Sequence, residues 1–308
     1  MAALSNEQTP GRLKAIAAVV QTILLVAAIA YIVWILAGQW QSLRRHVWTL
    51  QAAPVVLSLP LAAGWFLGRA WLWQRILQCF GFPLAYRRTF RTFILAELSR
   101  YLPGTVWHVF GRSYYASRQG VPAAVTLTAM VLEMALVALT AVAFFPLRAV
   151  GASRLFQELA IWSAAAALVV LVIAHPRAIV PLVNLALRRL GKPVIHARLR
   201  YGDITGMFGL CILMWVSLCA GFVLLASSIA PTAARSAIPV AASFPAAWFV
   251  GLVAIAAPGG LGVREGVLAA LLAGLLPAGM GVVVAIASRL WLTGIELLCA
   301  VVAWRIHE

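Results

Sequence analysis

The chain has 308 residues, 64% of them hydrophobic and only 10% charged, with a mean hydropathy of +0.98, where an ordinary soluble domain carries about 25% charged residues; a soluble globular fold is excluded. Lys and Arg number 24 against 8 Asp and Glu, a formal net charge of +16, and every cation except Lys14 and Lys192 is arginine. A nucleic-acid module gathers such charge on a soluble basic face, whereas these arginines stand in short gaps between long apolar runs, so the expected anionic partners are lipid head groups and not nucleic acid.

The pattern predicts an all-α polytopic membrane protein forming a single integral membrane domain over 1–308, with approximate halves 1–175 and 176–308. Arg12 and Lys14 precede an apolar run from Ala15 to Leu36, too long for a signal-peptide core and read as an uncleaved anchor. Further runs long enough to cross the ~30 Å hydrocarbon layer extend from Pro54 to Trp73, Pro122 to Phe145, Leu159 to Ala174, Ile204 to Ile229 and Met280 to Trp304, which brings the full spans to about six. Two more apolar regions, Phe90 to Arg112 and Val240 to Leu276, are interrupted near their middles by Pro103-Gly104 and by Pro258-Gly259-Gly260 with Gly262. Proline removes a helix hydrogen bond and glycine frees the backbone, and in lipid such backbone is tolerated only inside protein or beside a wet cavity. Both regions therefore read as re-entrant helical hairpins, over 90–117 and 240–276.

Arginine placement sets the expected orientation. The gap from His175 to Asp203 holds Arg177, Arg188, Arg189, Lys192, Arg198 and Arg200, and Arg75, Arg87, Arg88, Arg91 and Arg118 flank the first interruption. Both belong in the cytoplasm, with the two chain termini. Arg44 and Arg45 run against this scheme. The first hairpin then enters from the cytoplasm and the second from the opposite face. The two breaks lie roughly half the chain apart, each followed by a glutamate-bearing span, as in an inverted-topology repeat. Glu133 stands closer to its break than Glu296 does to the other, so the repeat is imperfect.

Ionised groups inside lipid cost about 2.5–3.5 kcal/mol each on insertion scales, so they mark partners, cavities or function. Four acids fall in such places: Glu97, Glu133, Glu265 and Glu296. Arg100, Arg112, Arg264 and Arg289 accompany them. The plain structural reading is a set of ion pairs inside the bundle. Against it, charges, breaks and half-helix N-termini gather at the same two points, where free N–H groups and arginines suit a phosphate. His108 is a weaker candidate, since a lone histidine near an interface is more often simply hydrogen-bonded. Of the twelve tryptophans, Trp34, Trp40, Trp71, Trp73, Trp162 and Trp304 stand near predicted span ends and suit an interfacial belt. The four cysteines form no CxxC pair and no metal-ligand spacing, so neither metal nor cofactor is expected; GxSxG, HExxH and a Walker lysine motif are missing, so no catalytic residue is expected either.

The string Tyr101-Leu102-Pro103-Gly104 with Trp107-His108 and Gly111-Arg112, then Glu133, then Pro258-Gly259-Gly260-Leu261-Gly262-Val263-Arg264-Glu265-Gly266, then Arg289, resembles the lysylphosphatidylglycerol synthase transmembrane family, which includes the flippase-like half of the multiple peptide resistance factor. The resemblance covers nearly the whole chain. It implies a multi-pass protein of the bacterial inner membrane that moves, or helps to move, a lipid between leaflets. Two departures stand out: no soluble aminoacyltransferase domain follows in the 308 residues, so lysyl transfer onto phosphatidylglycerol is not expected, and Met134 follows Glu133 where the family often has arginine. The expected function is a flippase or scramblase that moves an anionic phospholipid or a polyprenyl-phosphate-linked lipid through a central Arg/Glu-lined cavity, with a substrate site that draws on Glu97, Arg100, Pro103, Gly104, His108, Arg112, Glu133, Pro258, Gly259, Gly260, Gly262, Arg264, Glu265, Arg289 and Glu296. The alternatives are a membrane-embedded lipid-phosphate transferase or hydrolase using the same carboxylates, and a non-catalytic partner of a separate lipid-modifying enzyme.

Overall fold

The computed structural model describes residues 51–99, 107–148, 158, 188, 200–254 and 262–306. The expected spans 15–36 and 159–174 lie outside these residues, as do Arg100, Pro103, Gly104, Pro258, Gly259 and Gly260. The described structure is helical: α1 (Ala52–Cys79), α2 (Tyr86–Leu98), α3 (Trp107–Ser117), α4 (Ala123–Val142), a single turn α5 (Phe145–Arg148), α6 (Tyr201–Ile229), a 3₁₀ turn (Pro231–Ser236), α7 (Ala237–Val253), α8 (Val263–Leu272) and α9 (Met280–Trp304).

Five stretches among the described residues are long and apolar enough to cross a membrane: Ala52–Cys79, Ala123–Arg148, Tyr201–Ile229, Pro231–Val253 and Met280–Trp304. Four coincide with expected spans. The fifth, Pro231–Val253, differs from the sequence reading, which began its apolar region only at Val240 and took it as half a hairpin. Pro239 falls in the first turn of α7, where backbone N–H groups have no intrahelical acceptor to lose, so the helix begins ahead of it. The same shift occurs at α2, which starts at Tyr86 and not Phe90. Both interrupted regions do consist of two helices each, α2 with α3 and α7 with α8, packed against one another.

The scaffold is the antiparallel pair α1 and α6, the most extensively packed helices of the described fold. The Gln51 N–H donates to the Ser228 carbonyl (3.3 Å) at one end and the Ser217 hydroxyl to the Leu61 carbonyl (2.9 Å) nearer the middle. Gly68 lets Met214 approach so closely that a Cβ there would lie 2.5 Å from its side chain; lipid supplies no hydrophobic drive between helices, so such close packing is what holds them. Trp65, Trp215 and Trp248 meet on this seam, with ring centroids 4.5 Å apart for the first pair and 5.4 Å for the second. The Trp215 indole N–H donates to the Val137 carbonyl (3.1 Å), tying α4 to α6, and α9 closes the bundle against α2, α1 and α8.

Candidate functional site

Each of the first four helices sends one charged side chain to a single buried point: Arg69 from α1, Glu97 from α2, Arg112 from α3 and Glu133 from α4, exposed by only 5%, 6%, 2% and 1%. Glu133 falls near the middle of its span. Arg69 lies about 15 Å from the Cys79 end of α1 at a rise of about 1.5 Å per residue, inside the hydrocarbon layer. The four form a closed circuit. Arg69 donates from Nε (2.9 Å) and pairs through Nη2 (2.8 Å) with Glu133 Oε1, and its Nη1 reaches Glu97 Oε1 (3.4 Å). Arg112 donates from Nη2 to Glu97 Oε2 (3.1 Å) and from Nη1 to Glu133 Oε2. Two guanidiniums and two carboxylates cancel in charge.

Desolvating four ions is costly unless geometry and further contacts compensate. Aromatic faces add to the ion pairs here. The Phe93 ring of α2 serves both cations, 4.3 Å from the Arg112 guanidinium carbon and 5.1 Å from that of Arg69. Trp73 covers Arg112 (5.2 Å) and Trp65 covers Arg69 (5.9 Å). Trp65, Arg69 and Trp73 are spaced four residues apart, so one helix face presents ring, cation and ring in line. Gly111 brings α3 onto α2, since a Cβ there would stand 3.0 Å from the Ser99 hydroxyl and 3.5 Å from the Ala96 backbone; this approach delivers Arg112 to Glu97.

A second group forms where α8 begins. Gly262 has φ +78°, a conformation glycine adopts without a Cβ penalty, and its N–H donates to Glu265 Oε2 (2.8 Å). The other oxygen of Glu265 accepts a hydrogen bond from Arg289 Nη1 of α9 (3.2 Å). Arg264 lays its guanidinium 4.7 Å from the Phe244 ring of α7, and Gly251 admits it, a Cβ there falling 3.0 Å from the Arg264 Cβ. The Arg289 side chain keeps 23% of its surface exposed, against 10% for that of Glu265. Glu296, two turns along α9, is fully buried, and His108 is half-buried in the first turn of α3.

The structure thus sorts the expected residues. Glu97, Arg112 and Glu133 meet in one group, and Gly262, Glu265 and Arg289 in another beside Arg264. Arg112, expected to bind phosphate, has its guanidinium occupied by two carboxylates and two rings. The residue that sequence reasoning missed is Arg69. Its signal in the sequence is an arginine inside an apolar span, four residues from a tryptophan on either side and far from both breaks.

A bundle of membrane-crossing helices with interrupted segments and an Arg/Glu network in its interior defines a polytopic membrane protein with a built intramembrane charge site. The family model for the lysylphosphatidylglycerol synthase TM region matches residues 18–298, and the chain belongs to that family. No curated protein matches it at a significant level.

Proposed function

We propose that the protein is a flippase- or scramblase-like transporter that moves an anionic phospholipid, or a lipid linked to a polyprenyl phosphate, between the leaflets of a bacterial inner membrane. The lipid is not chemically changed. The head group passes the Glu265–Arg289 pair while the tails stay in lipid. The observation that carries this reading is the contrast between the two charge groups: no residue of the first is more than 6% exposed, whereas Arg289 remains partly accessible beside the first turn of α8. A phosphate arriving there replaces Glu265 as the partner of Arg289 and gains the Arg264 charge nearby. Glu265 keeps its bond from Gly262, so the exchange does not strand a buried carboxylate.

In this scheme α2 with α3 and α7 with α8 are re-entrant hairpins from opposite faces, the two halves are inverted repeats, and both termini lie in the cytoplasm. Arg69, Glu97, Arg112 and Glu133 fasten α1 to α4 into one body, against which α7 and α8 rock to change the side of access. Family membership supports the lipid as cargo, and the excess of arginine supports an anionic one.

The test is a vesicle assay with fluorescent phosphatidylglycerol and with a polyprenyl-phosphate lipid, in which a membrane-impermeant quencher counts outer-leaflet label. Wild-type protein accelerates exchange over protein-free vesicles, and Arg264→Ala, Arg289→Ala and Glu265→Gln each slow it. Unchanged exchange in all three removes the proposed site. Mass spectrometry of the recovered lipid checks the remaining clause: a new chemical species would place the protein among the transferases or hydrolases instead.

A further inference from the structure

Where α1 ends and α6 begins, the two scaffold helices leave a cavity of about 520 Å³ between them. Glycine on the α6 wall opens it: a Cβ added at Gly206 would meet no atom within 4 Å among the described residues. Two opposite charges reach this space from opposite walls, Arg75 from α1 and Asp203 from the first turn of α6. Arg75 is exposed and lays its guanidinium 5.6 Å from the centroid of Trp71, which also lines the cavity, while its Nη1 donates to Gln78 Oε1 (3.5 Å). Asp203 is half-buried and accepts the Arg200 backbone N–H on Oδ2 (2.8 Å). Each charge is thus steadied from its own side of the cavity. Among the described residues one guanidinium nitrogen and one carboxylate oxygen are used in these hydrogen bonds, which leaves donors on one wall and an acceptor on the other for a ligand.

We infer that this cavity binds a zwitterion composed of a phosphate diester and an ammonium group, the chemistry of an ethanolamine phosphate head group. The guanidinium fork of Arg75 matches phosphate oxygens in geometry as well as charge, and the Asp203 carboxylate takes the ammonium. A simple anion drawn to Arg75 meets repulsion from Asp203, and a simple cation meets the converse, so the pair selects a ligand that carries both signs. An ion pair between exposed partners is worth only about 0–1 kcal/mol, so a ligand that separates Arg75 from Asp203 gives up little. The volume falls within the ~300–1,000 Å³ of ordinary ligand sites, and Met207 and Trp71 supply apolar wall. Both helices belong to stretches long and apolar enough to cross the membrane, which puts their ends at the level of lipid head groups. The zwitterion is supplied by a lipid whose acyl chains stay in the leaflet, or by the free head-group compound. The site lies apart from the Glu265–Arg289 pair and does not depend on lipid transport.

The experiment titrates full-length protein in detergent with dioctanoylphosphatidylethanolamine and follows binding by calorimetry, with dioctanoylphosphatidylglycerol as the lipid lacking the ammonium and dioctanoylglycerol as the one lacking the whole head group. Wild type binds the ethanolamine lipid and not dioctanoylglycerol. Arg75→Gln and Asp203→Asn each weaken that binding by about tenfold, as expected for loss of a charge-assisted hydrogen bond. Asparagine keeps an oxygen for the Arg200 N–H, so Asp203→Asn spares the start of α6. It leaves phosphatidylglycerol binding undiminished, which a merely structural role for Asp203 does not predict. Gly206→Leu retains both charges and fills the cavity, and it weakens binding of the ethanolamine lipid by a similar factor; this variant decides the matter if a charge variant fails to fold. Arg305→Gln, at an exposed position past the end of α9, changes nothing. Displacement of the lipid by equimolar glycerophosphoethanolamine assigns the site to the free compound, and resistance to it assigns the site to lipid. Unchanged affinity in the Arg75, Asp203 and Gly206 variants, equal binding of dioctanoylglycerol, an equal loss for both phospholipids in Asp203→Asn, or an equal loss in Arg305→Gln overturns the proposal. The readout is binding and not exchange between leaflets, so its failure is distinct from failure of the transport reading.

Discussion

Replacing Arg69 with methionine tests whether the closed circuit is an energetic unit. The substitution keeps an unbranched apolar stem but removes the donors that reach Glu133 at 2.8 and 2.9 Å and Glu97 at 3.4 Å. One guanidinium then faces two carboxylates at a point where no residue is more than 6% exposed. Breaking a buried pair by removing one partner costs roughly 3–5 kcal/mol. The expected loss is therefore about 3–5 kcal/mol, a large share of the ~5–15 kcal/mol that usually separates folded from unfolded states. Adding Glu97→Gln restores neutrality by leaving Arg112 with Glu133, so the double variant is more stable than Arg69→Met alone even though it lacks one more charge. Unfolding free energies from steric trapping in bicelles provide the measurement. If the double variant loses the sum of the two single losses, the four residues do not act as a circuit and the reasoning fails.

Two further predictions follow from particular contacts. Gly262→Ala forces a Cβ onto a residue at φ +78°, costing about 1–2 kcal/mol and loosening the Glu265 cap; thermal unfolding in detergent drops accordingly, and an unchanged midpoint would show that α8 does not depend on that turn. Trp215→Phe deletes the indole N–H that reaches the Val137 carbonyl at 3.1 Å; a loss of about 0.5–1.5 kcal/mol is expected in the same bicelle measurement, and a loss below the error of the method would separate this hydrogen bond from the packing of the three tryptophans.

Much of the fold is legible in hydropathy because lipid is a severe solvent: a run of some twenty apolar residues has few alternatives to a spanning helix, and α1, α4, α6 and α9 appear where such runs stand. Their ends are less legible. Pro239 and Pro245 look like breakers in sequence, yet both are accommodated in α7, one in a first turn and the other inside a helix whose neighbours pack it. Pairing is less legible still. Glu97 and Glu133 announce themselves as acids in apolar surroundings, and Arg112 lies near them in sequence, but Arg69 joins them only because α1 packs between α2 and α4, and no local spacing encodes that crossing. The Glu265–Arg289 pair is a similar case, its members brought together by the contact of α8 with α9.

The two charge groups differ in how reversibly they can open. Within the first, each carboxylate oxygen with a bond in the circuit accepts it from an arginine, and each arginine spans both carboxylates, so any relative motion of α1 to α4 that lengthens one bond lengthens several. Such a unit resists shear and suits the fixed part of a moving assembly. Glu265 is held differently, with one oxygen on the N–H of Gly262, a neighbour on its own chain turn, and the other on Arg289 of a different helix. Moving α9 away from α8 breaks only the second, and the first travels with the helix. A pair whose acid stays capped when its cation leaves is an inexpensive place to exchange one anion for another. Because Arg289 is also the more exposed member of the pair, any incoming anion meets the cation before it meets the carboxylate.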